Sequence, residues 1–181
     1  MKRFSFFPLF AALLLATFAS GCITFTGGPN IEQERNDRRY DDAGIKTAIA
    51  SALLKKDAAK ANDINVHSFN GHVFLIGEAD KEFRIEALED ARSAEGVVHV
   101  TTHWFPSGTA STAEDTAIET EIESLLQQTE GAESFRAAID VWGGHVVLTG
   151  LSGKQEAIDS LLMKIKKIKQ VKSVTSYIAI G

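Results

Sequence analysis

One cysteine in 181 residues, Cys22, leaves the fold no internal disulfide, so its stability has to come from a packed core. Long hydrophobic runs are equally scarce. The one candidate, Phe4 to Phe18, is broken by Ser5, Pro8 and Thr17 and is shorter than the ~20 apolar residues of a membrane-spanning helix. Metal-ligand clusters are also thin: His99 and His103 share one face of a predicted strand, but no third His or Cys stands nearby, so no metal site is expected. Basic charge is in the minority, 19 Lys and Arg against 24 Asp and Glu for a net charge of −5. That balance repels polyanions and argues against a nucleic-acid partner. An apolar content of 44% nevertheless excludes a disordered chain.

What is present begins with a leader. Lys2 and Arg3 precede the interrupted apolar run, which closes on small residues, the layout of a signal peptide over residues 1–21. Ala19-Ser20-Gly21-Cys22 resembles a bacterial lipobox, which implies cleavage before Cys22 and acylation of its thiol. Ile23, in place of an Asp that would signal inner-membrane retention, points to the periplasmic face of the outer membrane. Loss of Lys2 and Arg3 would take the charge to about −7. Residues 22–40, rich in Gly, Asn and charge, read as a flexible acylated tether.

Beyond the tether the chain repeats itself. Asn65 to Gly77 aligns with Ala138 to Gly150 without a gap, and the same register sets Ile45, Ile49 and Leu53 on Ile118, Ile122 and Leu126. Continued, it sets Ile85 and Leu88 on Ile158 and Leu161; one inserted residue then brings Val97 and Val100 onto Val171 and Val174.

Each copy opens with apolar residues three to four apart, one face of a helix. Ser111-Thr112-Ala113-Glu114 offers the second of these helices a capping box. Two alternating runs follow, joined by Asn70-Gly71 or Gly143-Gly144, dipeptides suited to tight hairpin turns. Gly77 and Gly150 end the hairpins, Asp80 or Ser152 caps a second helix, and a β-rich run closes each copy at Val97–Phe105 and Val171–Ile180. The expected fold is therefore α/β, of the two-layer α+β kind: two tandem αββαβ modules, each a three-stranded mixed sheet packed on two helices. The first covers residues 41–105 and the second 113–181, with a linker at 106–112 that contains Pro106.

The runs Phe69-Asn70-Gly71-His72-Val73-Phe74-Leu75-Ile76-Gly77 and Trp142-Gly143-Gly144-His145-Val146-Val147-Leu148-Thr149-Gly150, behind a lipobox, resemble the BON-domain family (bacterial OsmY and nodulation). The layout is similar to dual-BON outer-membrane lipoproteins of the DolP type. The resemblance implies a non-catalytic binding module that supports envelope integrity, with anionic phospholipid or envelope proteins as partners and no cofactor. It also implies a lipid site on the first helix of the second module. That helix here carries Ala117, Glu119, Glu121 and Glu123, and such acids are repelled by an anionic leaflet at roughly 1 kcal/mol per charge.

The candidate membrane or partner surface is instead Lys164, Lys166, Lys167, Lys169 and Lys172, flanking the stripe Leu161, Ile165 and Ile168 on an expected helix. Gly150-Leu151-Ser152-Gly153-Lys154 lacks the first glycine and the terminal hydroxyl of a phosphate loop; Ser152 and Gln155 read as a capping box. Phe69, Trp142, Trp104 and Phe105 are read as core or inter-module contacts. The repeated His72 and His145 are read as shared structure.

Overall fold

The computed structural model describes residues 31–109 and 113–181, with side-chain surroundings from Asp41 onward. Cys22, its leader, and the Ser111-Thr112 part of the expected capping box lie outside the described residues.

The first module is built from α1 (Ile31–Lys56), α2 (Ala58–Ala61), β1 (Ile64–Phe69), β2 (His72–Gly77), α3 (Lys81–Ser93) and β3 (His99–Trp104). The second repeats it with α4 (Ala113–Gln127), a 3₁₀ turn (Ala132–Ser134), β4 (Arg136–Trp142), β5 (His145–Ser152), α5 (Gln155–Ile165) and β6 (Ser173–Ile180). Each sheet has its second strand in the middle, antiparallel to the first and parallel to the third. A parallel third strand requires a crossover, which α3 and α5 supply. The expected two-module α/β architecture is the one observed.

Period 3.6 buries Ile45, Ile49 and Leu53 of α1 against Phe83, Ala87 and Ala91 of α3 and the inner face of β1 and β2. Ile118, Ile122, Leu161 and Ile165 form the matching core of the second module with Val141, Val146 and Leu148. Asp80 caps α3 as expected, its carboxylate accepting the Phe83 amide at 2.8 Å. Gly77 sits at φ +151°, and a Cβ there would lie 1.9 Å from the Asp63 carbonyl oxygen, so only glycine lets β1 and β2 meet at that end.

Four expectations need correction. Residues 31–40, read as tether, are helical and continuous with α1; Glu32, Gln33, Glu34 and Arg35 are good helix formers, and polarity without periodicity does not exclude helix. The inserted residue lies before α5 and not after it: Phe83, Ala87 and Ala91 are buried where Ala157, Leu161 and Ile165 are, an offset of 74, while Ile85 is 51% exposed and Ile158 only 3%. β5 runs on to Ser152 and absorbs the extra residue. Ser152 does not cap α5; its N-cap is Lys154, without a side-chain cap bond, and the Ser152 hydroxyl, placed on the strand, stays beside Ser134 and the Lys154 backbone. Finally, α5 stops at Ile165, so Lys166, Lys167, Lys169 and Lys172 lie on the turn to β6, where Lys166 is the C-cap.

Candidate functional site

Helices cover only one face of each sheet, which leaves Phe74 and Ile76, alternating with the core residues of β2, pointing the other way. They are buried all the same, with Phe105, Trp142 and Val147, in a third apolar cluster between the modules. The Phe105 and Trp142 rings stack at 5.2 Å and 18°. Phe69 packs on this cluster, while Trp104, one residue before Phe105, turns to the helix side and packs on the first module's core. Core and interface roles for these four aromatics are thus both realised.

The same sheet face is used by both modules. His67 Nε2 lies 3.0 and 3.1 Å from the Asp140 carboxylate oxygens, and His103 Nδ1 lies 3.2 Å from the Tyr177 hydroxyl. Each pair joins positions made equivalent by the repeat, 73 and 74 residues apart. A patch that meets its own copy makes an isologous contact, and such self-pairs lie on the axis that relates the copies. An approximate two-fold therefore crosses the seam from the β1/β4 side to the β3/β6 side.

Carboxylates hold the hairpins. Asp42 of α1 accepts the amides of Asn70 and Gly71 at 2.8 and 2.9 Å and the Ser68 hydroxyl at 2.8 Å. Asp115, its counterpart on α4, accepts the amides of Gly143 and Gly144, both at 2.7 Å. Asp42 has a further cross-module partner in Arg136, whose Nη2 donates at 2.9 Å while Nη1 reaches Asn70 Oδ1 at 3.1 Å. Burial pushes the Asp42 carboxyl up, but the Gly71 and Asn70 amides, Ser68 and Arg136 outweigh it and hold it below the usual carboxylate range. Neither aspartate was singled out from the sequence, although their 73-residue spacing was there to be read.

The lysine surface is only partly one surface. Lys164, half-buried on α5, donates to Thr129 Oγ1 at 3.2 Å and serves the structure. Lys166, Lys167, Lys169 and Lys172 are exposed, and none forms an ion pair among the described residues. Lys172 bonds through its amide to the Gly144 carbonyl at 2.8 Å, which sets this turn beside the Gly143-Gly144 hairpin. On α4, Glu121 and Glu123 are exposed. Glu119 is half-buried, and burial is the main cause that raises its carboxyl, against a bond from the Val141 amide and with Asp140, Asp115 and Glu123 adding to it.

His99 and His103 do share a face of β3, but their rings have other partners: His99 meets His72 edge-on at 4.7 Å, and His103 meets Phe105 and Tyr177. Among the described residues no group of three or more His, Cys, Asp or Glu is placed to hold a metal ion. No described helix is long and apolar enough to cross a membrane.

Duplicated hairpin-and-crossover modules, stapled by equivalent aspartates and joined through one shared sheet face, define a tandem α/β repeat protein. The sequence profile of the BON domain matches residues 41–103 and 114–181, and the chain belongs to the BON-domain family. It is similar to the osmotically-inducible protein Y of Escherichia coli (strain K12), 29% identical over 140 residues, 74% of this chain and 70% of that protein. It is also similar to an uncharacterized protein in the gshII 5′ region of Anaplasma centrale, 28% identical over 143 residues, 76% of this chain and 93% of the other. A shorter match, 43% over 56 residues, 31% of this chain and 29% of its partner, is to a 21 kDa hemolysin of Actinobacillus pleuropneumoniae.

Proposed function

We propose that the chain is a non-enzymatic envelope protein, anchored by acylated Cys22 to the periplasmic face of the outer membrane, which supports envelope integrity by resting its second module on phospholipid. The observation that carries this reading is the exposed cluster Lys166, Lys167, Lys169 and Lys172, without an ion pair among the described residues, beside the Gly143-Gly144 hairpin of a net acidic chain. Each lysine near an anionic surface contributes roughly 1 kcal/mol of attraction. Glu121 and Glu123 resist a side-on approach through α4, so contact is made end-on, through the lysine turn. Acylation supplies firm attachment, which leaves the modules free for recognition.

A second reading, an assembly or chaperone-like component that acts on envelope proteins without recognising lipid, is favoured by the sheet edges. β3 and β6 each pair with a single strand, and Ser173 to Gly181 carries neither charge nor proline, the devices that normally blunt an exposed edge.

Flotation of residues 23–181 on vesicles with and without anionic lipid separates the two. Binding to anionic vesicles that is lost with salt and in a variant with the four turn lysines changed to Gln supports the lipid reading. Absence of binding sinks it, and recovery of cross-linked envelope proteins with strand β6 then supports the second.

A further inference from the structure

The chain has five histidines, and all five line the seam side of the sheets. His67 faces Asp140, which is 1% exposed and also accepts Asn65 Nδ2 at 2.7 Å. His72 stacks on Phe74 of the seam cluster at 4.3 Å, bonds Thr101 Oγ1 through Nε2 at 2.9 Å, and meets His99 edge-on. His103 packs against Phe105 and Tyr177, and His145 Nδ1 lies 2.7 Å from Ser173 Oγ. Histidine is the side chain whose ordinary pKa places its charge change just below neutrality, so the imidazole charge acquired in mild acid falls on the sheet faces turned toward the seam, and two of its carriers, His67 and His103, bond across it.

We propose that the seam is an acid-labile clasp: protonation of its histidines below neutral pH parts the two modules while each stays folded, and exposes the apolar cluster between them.

The charges around the seam favour opening. From β4, Asp140 is one carboxylate with His67 bonded to it and His103 within its field. From β5, a protonated His145 adds like charge to the field at His103. Arg136 at the start of β4 is matched by Asp42 of α1. From α4, Glu119 adds an anion within the field of Asp140, but burial raises its carboxyl, so it neutralises early in acid and its compensation fades. Burial is the main cause that lowers the pKa of His103, with His145 adding to it and Asp140 opposing; burial and His99 lower that of His72. The sign follows: a histidine whose pKa is depressed in the closed state contributes stability that is present above its ordinary pKa and lost as pH falls toward the depressed value. His67 opposes the trend, since its proton strengthens the bond to Asp140. It is one group against His72 and His103.

The test is small-angle scattering of residues 23–181, with far-UV circular dichroism and binding of an apolar fluorescent dye, from about pH 7.5 to about pH 4.5. The expected result is a reversible rise in radius of gyration and dye binding at unchanged ellipticity. In a variant with His103→Gln and His145→Gln, checked for wild-type ellipticity at neutral pH, most of that rise should be lost. Proton NMR of the wild-type imidazoles gives an independent readout, His103 titrating below its ordinary pKa in step with opening. A constant radius over the range, a rise undiminished in the variant, or loss of ellipticity together with the rise would each overturn the clasp.

Discussion

His67 and Asp140 hold the same place in the two modules, 73 residues apart, and they are bonded to each other. One position has become a histidine in one copy and an aspartate in the other, which gives the near-symmetric seam a polar contact that two identical residues at a self-pair would not make. Duplication supplies the interface; divergence at the axis supplies its chemistry.

Asp42 joins α1, the first hairpin and Arg136 of the other module. Asp42→Ala leaves two amides and a guanidinium without their acceptor and should destabilise the chain by about 3 kcal/mol in urea unfolding. Because its pKa is lowered on folding, its contribution is present above the ordinary carboxylate range and lost as pH falls through the lowered value. The stability gap between wild type and Asp42→Asn should therefore close only in strong acid, well below the histidine range.

Phe105 is 3% exposed and stacked on Trp142 across the seam. Truncation to Ala should cost about 3–4 kcal/mol. In a double-mutant cycle with Trp142→Ala, a coupling of about 0.5–1.5 kcal/mol is expected from the ring contact; zero coupling would show that the two rings do not bind the modules together.

Thr149 is fully buried, and its hydroxyl has no hydrogen-bond partner among the described residues. Its counterpart in the first module is Ile76, also at the seam. Thr149→Val keeps the shape and removes the unsatisfied group, so it should stabilise the chain by about 1 kcal/mol, read as a higher urea midpoint at unchanged slope.

Gly44 lies within helix α1, and a Cβ added there meets nothing within 4 Å. Gly44→Ala should stabilise by about 0.5–1 kcal/mol, through the smaller entropy the unfolded chain then loses. Gly71→Ala is the contrasting control. Its φ of +77° and the Gly96 carbonyl oxygen 2.7 Å from the new Cβ make that substitution destabilising.

The alternating runs around Asn70-Gly71 and Gly143-Gly144, and the helix stripe Ile45, Ile49, Leu53 with its copy, determined the order of elements, the duplication and the family by themselves. These are local signals: side-chain period and turn chemistry are set by neighbours in the chain. Only the tertiary structure decided the rest. Lys164 and its neighbours looked like one helical face until α5 ended at Ile165; Ile85 looked equivalent to Ile158 until β5 absorbed the extra residue. The seam was marked in the sequence by the aromatics Phe69, Phe105 and Trp142 and by Val73-Phe74-Leu75-Ile76, an apolar run too continuous for a strand with one face in water. Which face met which, and that His67, His103, Asp140 and Arg136 would supply its polar contacts, depended on contacts far apart in the chain, and no local period encodes those.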